Sequence, residues 1–275
     1  MKRITLRLKH APSLRIDARE LLPARLAELS AVEIGKMALW HGSEPINVGD
    51  LFAVEIADEA SLDLPQLRFE GDMQRFDRLG SRMDAGHLVI DGNAGDFLGA
   101  QMSAGTIVVE GHCGSFAACE LSGGRVEIRG NAGDFAGAAL PGDMDGMRGG
   151  TLVIHGDAGA RLGDRMRRGT MIVFGSAGAF VASRMVAGTI AVAGRVGEHP
   201  AYGMRRGSLL LLDSAWPATQ RFAENASDID VFWRLLVPTL AREGGAFAML
   251  SRAQPPRRLR GDVSVQGKGE ILLAG

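Results

Sequence analysis

The stretch that decides the fold reads Met83-Asp84-Ala85-Gly86-His87-Leu88-Val89-Ile90, and Met102-Ser103-Ala104-Gly105-Thr106-Ile107-Val108-Val109 repeats it 19 residues later. Successive glycines of this kind are 19, 19, 26, 19, 19 and 19 residues apart, and the long step holds seven extra residues within 138–146. A fixed period of this size is typical of a solenoid, in which each repeat packs on its neighbours. These phase glycines are Gly86, Gly105, Gly124, Gly150, Gly169, Gly188 and Gly207.

The residues around each phase glycine predict which side chains point inward. Apolar residues alternate after the glycine, as in Leu88 and Ile90 or Leu152 and Ile154, so each run is predicted to be a half-buried strand. Six runs end in a G-x-x-G turn, where glycine allows a positive φ or a close backbone approach. A column of long apolar side chains is predicted to stack three residues before the phase glycines: Met83, Met102, Leu121, Met147, Met166, Met185 and Met204.

Nineteen residues with three corners describe one coil of a parallel β-helix whose coils stack at about 4.8 Å. Connections between parallel strands are almost always right-handed. The alternative is the left-handed hexapeptide helix, but its coils are multiples of six residues. The predicted fold class is therefore all-β: a right-handed parallel β-helix with a small α/β N-terminal cap and a C-terminal helix plus tail.

The flanks predict an N-terminal cap at residues 1–65, the β-helix at 66–213, and a C-terminal helix and tail at 214–275. A solenoid end exposes unpaired strand edges, so caps are expected there. The local predictions are a strand at 4–8, a helical region at 17–29 interrupted by Pro23, turns at 40–42 and 47–49, a helix capped by Ser227 or Asp228 that runs to about Arg242 with a kink or break at Pro238, and a strand at Val263–Val265.

Composition narrows the class of protein. The net charge of −1 gives no overall attraction to nucleic acid or to a membrane. No apolar run approaches the ~20 residues of a membrane span, and the N-terminus lacks the apolar core of a signal peptide. With only two cysteines, these features predict a cytoplasmic protein without nucleic-acid or membrane partners.

The candidate catalytic and metal-binding residues are better explained by structural roles. Cys113 occupies a column of small residues, so we expect a buried core position rather than a metal ligand. The six histidines are scattered without metal-ligand spacing. Acidic residues of the repeats are predicted to be turn residues: Asp96, Asp134, Asp157 and Asp164. We therefore predict no catalytic residue and no metal site.

One charged feature remains, and we name it the arginine strip. Its residues recur on successive repeats, so stacking would bring them into a basic surface. Stacked like charges repel unless an anion lies on them, which favours a binding function; a solvated face is the alternative. The strip consists of Arg148, Arg165, Arg167, Arg168, Arg184, Arg205 and Arg206.

The repeat resembles the β-helix shared by the C-terminal domain of glutamate synthase and the C subunit of formylmethanofuran dehydrogenase. The flanks decide between these two. Trp40-His41-Gly42 with Val48-Gly49-Asp50-Leu51-Phe52-Ala53-Val54-Glu55 before the repeats is similar to the latter family. Phe232-Trp233-Arg234-Leu235 and Gly267-Lys268-Gly269-Glu270-Ile271-Leu272 after the repeats are also similar to it.

The resemblance implies a non-catalytic subunit of the bacterial formyltransferase/hydrolase complex, with subunits A, B and D as partners. That complex moves a formyl group from formyl-tetrahydromethanopterin to a methanofuran-type carrier and releases formate. The family assigns transfer to the D subunit and hydrolysis to the A subunit. The arginine-rich composition favours this bacterial complex over the C subunit of an archaeal-type formylmethanofuran dehydrogenase. Two further alternatives are a glutamate-synthase-type spacer domain, which the flanks disfavour, and a stand-alone β-helix enzyme, which the lack of a catalytic constellation disfavours.

The resemblance also bears on the arginine strip. No covalently bound cofactor is expected, but methanofuran-type carriers have glutamate residues in their tails. Arginine stays charged and can bind a carboxylate through two hydrogen bonds. We therefore expect the strip to hold either the anionic carrier tail or an acidic surface of a partner subunit.

Overall fold

The computed structural model describes residues 1–213, 221–224 and 229–274, and strands dominate it. The strands are β1 (Lys2–Leu8), β2 (Ile16–Asp17), β3 (Ala38–His41), β4 (Glu44–Asn47), β5 (Phe52–Asp58), β6 (Gln66–Glu70), β7 (Phe76–Asp77), β8 (His87–Asp91), β9 (Thr106–Val109), β10 (Arg125–Ile128), β11 (Arg148–Ile154), β12 (Arg168–Val173), β13 (Thr189–Val192), β14 (Ser208–Leu211), β15 (Phe222–Glu224), β16 (Arg257–Gly261) and β17 (Gly269–Leu273). The α-helices are α1 (Pro23–Ala27), α2 (Ala31–Gly35), α3 (Val48–Leu51) and α4 (Asp230–Ala241), and two 3-10 helices span Gly245–Met249 and Val263–Val265.

A 13-stranded sheet runs the length of the molecule in the order β15-β16-β17-β14-β13-β12-β11-β10-β9-β8-β6-β1-β5. From β1 to β17 in this order, all neighbours pair in parallel. Equivalent residues of successive repeats are aligned, as Leu88 is with Ile107. Val126 is aligned with Leu152 across the long step, so the extra residues leave the register intact. The predicted parallel strands after all seven phase glycines are confirmed.

A second column of backbone pairing joins the same repeats away from the sheet. Isolated parallel bridges link the residue just before the second glycine of each G-x-x-G turn, and they continue to Met73 in the segment before the first such turn. Cys113 lies in this column between two alanines, as the repeat predicts. The bridged residues are Met73, Ala94, Cys113, Ala132, Ala158, Ala177 and Val196.

The inward assignment is confirmed by burial. Leu88, Ile90, Leu152 and Ile154 are fully buried, and the methionine and leucine column before the phase glycines is at most 1% exposed. These side chains belong to one continuous apolar core that reaches from β1 to β17. The strands therefore share a single interior along the whole stack.

Close packing explains why glycine occupies the phase positions. Gly105 has φ +91°, and a Cβ there would lie 2.6 Å from the carbonyl oxygen of Gly86 and 2.8 Å from Cε of Met83. The buried methionine of one repeat thus packs against the phase glycine of the next. A side chain at this position would be strained by φ and would also collide with its neighbours.

The turn glycines are required for only one of the two reasons that the sequence predicts. Gly92 is not in the positive-φ region, but its Cβ would lie 2.3 Å from the carbonyl oxygen of Gly71. Close backbone approach therefore explains this column. Positive φ occurs at the phase glycines and at the position four residues after each G-x-x-G turn, where Gly99 has φ +61° and Ala118 takes the same conformation at φ +52°.

Helix α4 covers the outer face of the sheet, which the alternating pattern did not predict. Its buried stripe is Trp233, Leu236, Val237 and Leu240. The stripe packs on outward-facing strand residues that are themselves fully buried, or nearly so, to form a second apolar core. The strand residues are Val153, Ile172, Ala191, Leu210 and Leu272.

Several local predictions are wrong in ways that the chain explains. Pro23 begins α1 rather than interrupting a helix, because its missing N–H is not needed at the first turn. Trp40 and His41 belong to β3 instead of a turn. Pro238 lies inside α4 without ending it, so the helix has no break there.

The C-terminal predictions also change. Val263–Val265 is a 3-10 helix rather than a strand. The strand in this region is β16, which contains Arg257, Arg258 and Arg260. Ser227 and Asp228, the predicted helix cap, lie outside the described residues. None of the described helices is long and apolar enough to cross a lipid bilayer.

The insertion within 138–146 leaves the stack as a loop, as predicted. The Met147 amide donates to the Gly137 carbonyl over 2.9 Å, which is the bond that Met102 makes to Gly99 in a regular repeat. A Cβ on Gly146 would lie 3.1 Å from the carbonyl carbon of Ala138. The ends of the loop therefore meet, and residues 139–145 are the seven extra ones. We name them the insertion loop.

The spatial explanation of the phase glycines can be tested with two alanine substitutions. Gly105→Ala should destabilise the chain by about 1–2 kcal/mol from backbone strain and by about 1–3 kcal/mol more from overpacking. Gly142→Ala is the matched control, because Gly142 has φ +97° but nothing within 4 Å of its Cβ. Urea unfolding measures both. Equal losses would show that φ alone, and not close packing, selects glycine at Gly105.

Candidate functional site

The arginine strip lies in three columns just before the phase glycines. Arg165 is half-buried, and the other six arginines are exposed. Because equivalent residues stack, each column is a row of positions along the molecule. The columns contain Arg165 and Arg184 at four residues before the glycine, Arg148, Arg167 and Arg205 at two residues before it, and Arg168 and Arg206 at one residue before it.

Part of the strip converges on a cavity of about 340 Å³. Arg148, Arg168 and Arg206 do not line it. The cavity walls combine guanidinium groups with apolar and aromatic side chains, and Tyr202 is 49% exposed. Four strip arginines line the cavity, namely Arg165, Arg167, Arg184 and Arg205, together with Met144, Val186, Tyr202, Gly203 and Val265.

Arg184 is held by a buried carboxylate one repeat earlier. Asp164 is 4% exposed and accepts from Nη2 of Arg184 at 2.7 Å and from its Nε at 3.0 Å. The hydroxyl of Ser183 also donates to Asp164. Asp164 lies in a turn, as predicted, and its buried carboxylate also anchors a guanidinium from inside the wall.

The insertion loop contacts two more arginines of the cavity. Nη1 of Arg165 donates to the backbone carbonyl of Asp143 at 2.6 Å. Arg167 forms an ion pair with the carboxylate of Asp145. The side chain of Met144, between these two acids, is 72% exposed and faces the same cavity.

Glu120 organises the neighbouring part of the strip. It is 3% exposed, and it accepts from Nη2 of Arg148 at 3.2 Å and from the amide of Leu140 at 3.1 Å. Gln101, one repeat earlier, donates to the same carboxylate at 3.0 Å. Acids within the chain therefore compensate part of the strip's charge, which the sequence interpretation had treated as uncompensated.

The other acidic residues of the repeats hold the corners together. Oδ1 of Asp96 accepts from the amide of Ser115 at 2.8 Å, and Oδ1 of Asp134 accepts from Ala160 at 2.7 Å. Asp157 accepts from an amide of the next repeat in the same way. These three residues are turn residues, as predicted.

Both cysteines are buried, and neither thiol is poised to ionise. Burial raises the pKa of Cys113 to about 12 and that of Cys119 to about 12, with the nearby Glu120 carboxylate as a further cause for Cys119. Both thiols stay protonated at neutral pH, as in ordinary core residues. Within the described part of the chain, His, Cys, Asp and Glu side chains form no group of three or more that could hold a metal ion.

Sequence reasoning missed an aromatic column along one edge of the stack. Phe97 stacks on Phe116 with ring centroids 5.0 Å apart, and Phe116 stacks on Phe135 at 4.8 Å. Arg161 occupies the next position of the column, and its guanidinium lies 4.8 Å from the ring of Phe180 in the repeat that follows. The signal was present in the sequence, since a phenylalanine follows the same turn in four repeats.

The anchoring role assigned to Asp164 predicts a difference between two carboxylates. Asp164→Asn should destabilise the chain by about 1–3 kcal/mol, because it removes charged hydrogen bonds from a buried site. Asp145→Asn is the matched control at a more exposed ion pair, where the expected loss is about 0–1 kcal/mol. Urea unfolding of the purified variants measures both. A loss at Asp164 no larger than at Asp145 would contradict the anchor.

Comparison with known proteins places this geometry in a family. The GXGXG motif family matches residues 73–231. The C subunit of the formyltransferase/hydrolase complex Fhc from Methylorubrum extorquens is 42% identical over 91 residues, 33% of this chain and 32% of that protein. The C subunit of the molybdenum-containing formylmethanofuran dehydrogenase 1 from Methanosarcina barkeri is 35% identical over 95 residues, 34% of this chain and 32% of that protein. The chain thus spans about a third of the length of the curated relatives it matches.

A solved structure is similar over nearly the whole chain. It is the X-ray crystal structure of the formyltransferase/hydrolase complex FhcABCD from Methylorubrum extorquens in complex with methylofuran. One chain of that complex is 41% identical, with a TM-score of 0.89 over 98% of this chain and 99% of that one. This chain therefore belongs to the GXGXG motif family and, within it, to the group formed by the C subunits of formylmethanofuran dehydrogenases and formyltransferase/hydrolase complexes.

Proposed function

We propose that this chain is a non-catalytic structural subunit of a formyltransferase/hydrolase complex, assembled with subunits A, B and D. In this role the complex moves a formyl group from formyl-tetrahydromethanopterin to a methanofuran-type carrier and releases formate. The observation that carries the proposal is the full-length similarity to one chain of FhcABCD, at 41% identity. The match reaches both flanks, which disfavours a glutamate-synthase-type spacer domain, and it is to a bacterial complex, which favours that complex over the archaeal-type enzyme.

We further infer that the described sheet winds as a right-handed parallel β-helix. The support is the parallel pairing of equivalent residues in two separate columns of each repeat. In this arrangement residues 1–65 cap one end, residues 66–213 form the β-helix, and residues 214–275 supply the covering helix and tail. Strand β5 pairs antiparallel with β1, and β16 pairs antiparallel with β17, which suits segments that close the two ends of a stack.

The arginine strip is proposed to hold an anion of the complex, either the glutamate-bearing carrier tail or an acidic partner surface. The support is the cavity that collects Arg165, Arg167, Arg184 and Arg205 beside apolar walls. A groove of this kind can bind carboxylates through guanidinium groups while the apolar walls contact the intervening methylene groups. The proposal assigns the strip no chemical step, so the formyl group need not come near it.

Subunit and carrier retention tests this assignment in the assembled complex. Arg167, Arg205 and Arg206 should be changed together to Gln, because Arg184 is needed to satisfy the buried Asp164. Purification at several salt concentrations should then lose carrier, or a partner subunit, at lower salt than the wild-type complex does. Mass spectrometry identifies which component is lost.

The matched control removes the same charge elsewhere on the surface. Arg25, Arg195 and Arg252 are exposed and lie outside the strip. Their triple change to Gln should leave retention unchanged at every salt concentration. If the strip variant also retains both components fully, the strip is a solvated face.

The same purification separates the complex from its alternatives. Co-purification with formyl-transferring and hydrolytic subunits is expected. A tungsten or molybdenum subunit would identify the archaeal-type enzyme instead, and a stable monomer with hydrolase activity of its own would exclude the structural role.

A further inference from the structure

The insertion loop lines three cavities along one face of the stack. Leu140 lines both a cavity of about 330 Å³ near Arg82 and a cavity of about 290 Å³ beside Phe116. The second of these shares Arg165 and Arg184 with the arginine-lined cavity, which Met144 of the loop also lines. The loop is therefore placed to influence whatever lies along this face.

The loop already supplies a carboxylate to the arginine-lined cavity. Asp145 pairs with Arg167, and the side chains are 33% and 51% exposed, so water reaches both partners. The Asp164–Arg184 pair is different, because only 6% of its carboxylate side chain is exposed. Of these two pairs, the one with Asp145 is the one that an incoming anion can exchange.

We propose that the insertion loop is an internal competitor for the strip, and that it selects chains of several carboxylates over single carboxylates. This inference rests on the anion-binding role proposed above for the same arginines. Asp145 occupies Arg167 as a ligand carboxylate would, while Arg205 has no ion-pair partner among the described residues. The ligand class is a flexible chain that bears repeated carboxylates.

The physical reason is effective concentration. A carboxylate tethered within the same molecule competes at an effective concentration in the millimolar range. A single free carboxylate gains only one exposed ion pair, whether it displaces Asp145 or pairs with Arg205 alone, and such a pair is worth little. A chain of carboxylates can displace Asp145 and also contact Arg165 and Arg205, so its additional contacts favour exchange. The loop thereby raises the number of carboxylates that a ligand needs.

Two substitutions on the loop isolate this competition. Asp145→Asn removes the carboxylate that contacts Arg167. Asp143→Asn is the matched control, because it removes the same charge from the same loop while the contact of Asp143 with Arg165 runs through the backbone carbonyl. Deletion of residues 139–145 provides a second variant, since the ends of the loop already meet.

The measurement is competition binding on the purified full-length chain at low salt, with a fluorescent oligo-glutamate of about ten residues as the probe. Acetyl-glutamate and longer glutamate oligomers are the competitors. In the wild type, long oligomers should compete and acetyl-glutamate should not. Asp145→Asn and the deletion should improve the affinity for acetyl-glutamate by about fivefold, which corresponds to the loss of one competing exposed ion pair worth about 1 kcal/mol. Asp143→Asn should have less than twofold effect.

The failures of the two proposals are distinguishable. If all variants and the wild type bind the probe with the same preference for long oligomers, the internal competitor is overturned and strip binding stands. If neither the wild type nor any variant binds the probe at low salt, the anion-binding role is contradicted. This inference is then contradicted too, because it rests on that role. The source of the natural chain, carrier tail or acidic partner segment, is identified by what the Arg167→Gln complex no longer retains.

Discussion

Backbone hydrogen bonds between successive repeats hold this molecule together, and they require neighbouring backbones to come very close at the corners. The Gly130 amide donates to the Gly111 carbonyl over 2.9 Å, and the Gly156 amide donates to Gly130 over 3.0 Å. A Cβ on Gly130 would lie 2.6 Å from the same Gly111 carbonyl oxygen. Glycine is therefore required where the chain turns, and the core side chains fill the space that this spacing leaves.

The same spacing organises the charged surface. An arginine one repeat after an acid can reach back to it, as Arg184 reaches Asp164. This arrangement allows guanidinium groups to accumulate along one face at modest electrostatic cost, because a buried or neighbouring carboxylate lies beside each paired arginine. The insertion loop adds another such pair, because it brings Asp145 to Arg167 from outside the regular repeat.

The period made strand positions, the buried methionine column and the inward residues predictable, because stacking places equivalent residues in equivalent surroundings. The sequence predicted helix α4 but not its position on the sheet. The local sequence does not indicate which element covers the outward-facing Val153 and Ile172. The arginine columns could be read from the repeat, and Asp164 could have been paired with Arg184 by aligning successive repeats. Asp145 could not, because seven residues without a place in the period have no defined neighbours until the fold is known.

The corner side chains give the stack a direction. Asp96 accepts from the amide of Ser115, and Asp134 accepts from that of Ala160, so each corner uses its side chain to bind the backbone of the repeat that follows. Contacts of this kind join only neighbouring repeats, so folding can spread from one repeat to the next. The repeats can therefore be added in the order in which a ribosome makes them, with each finished corner serving as a template for the next.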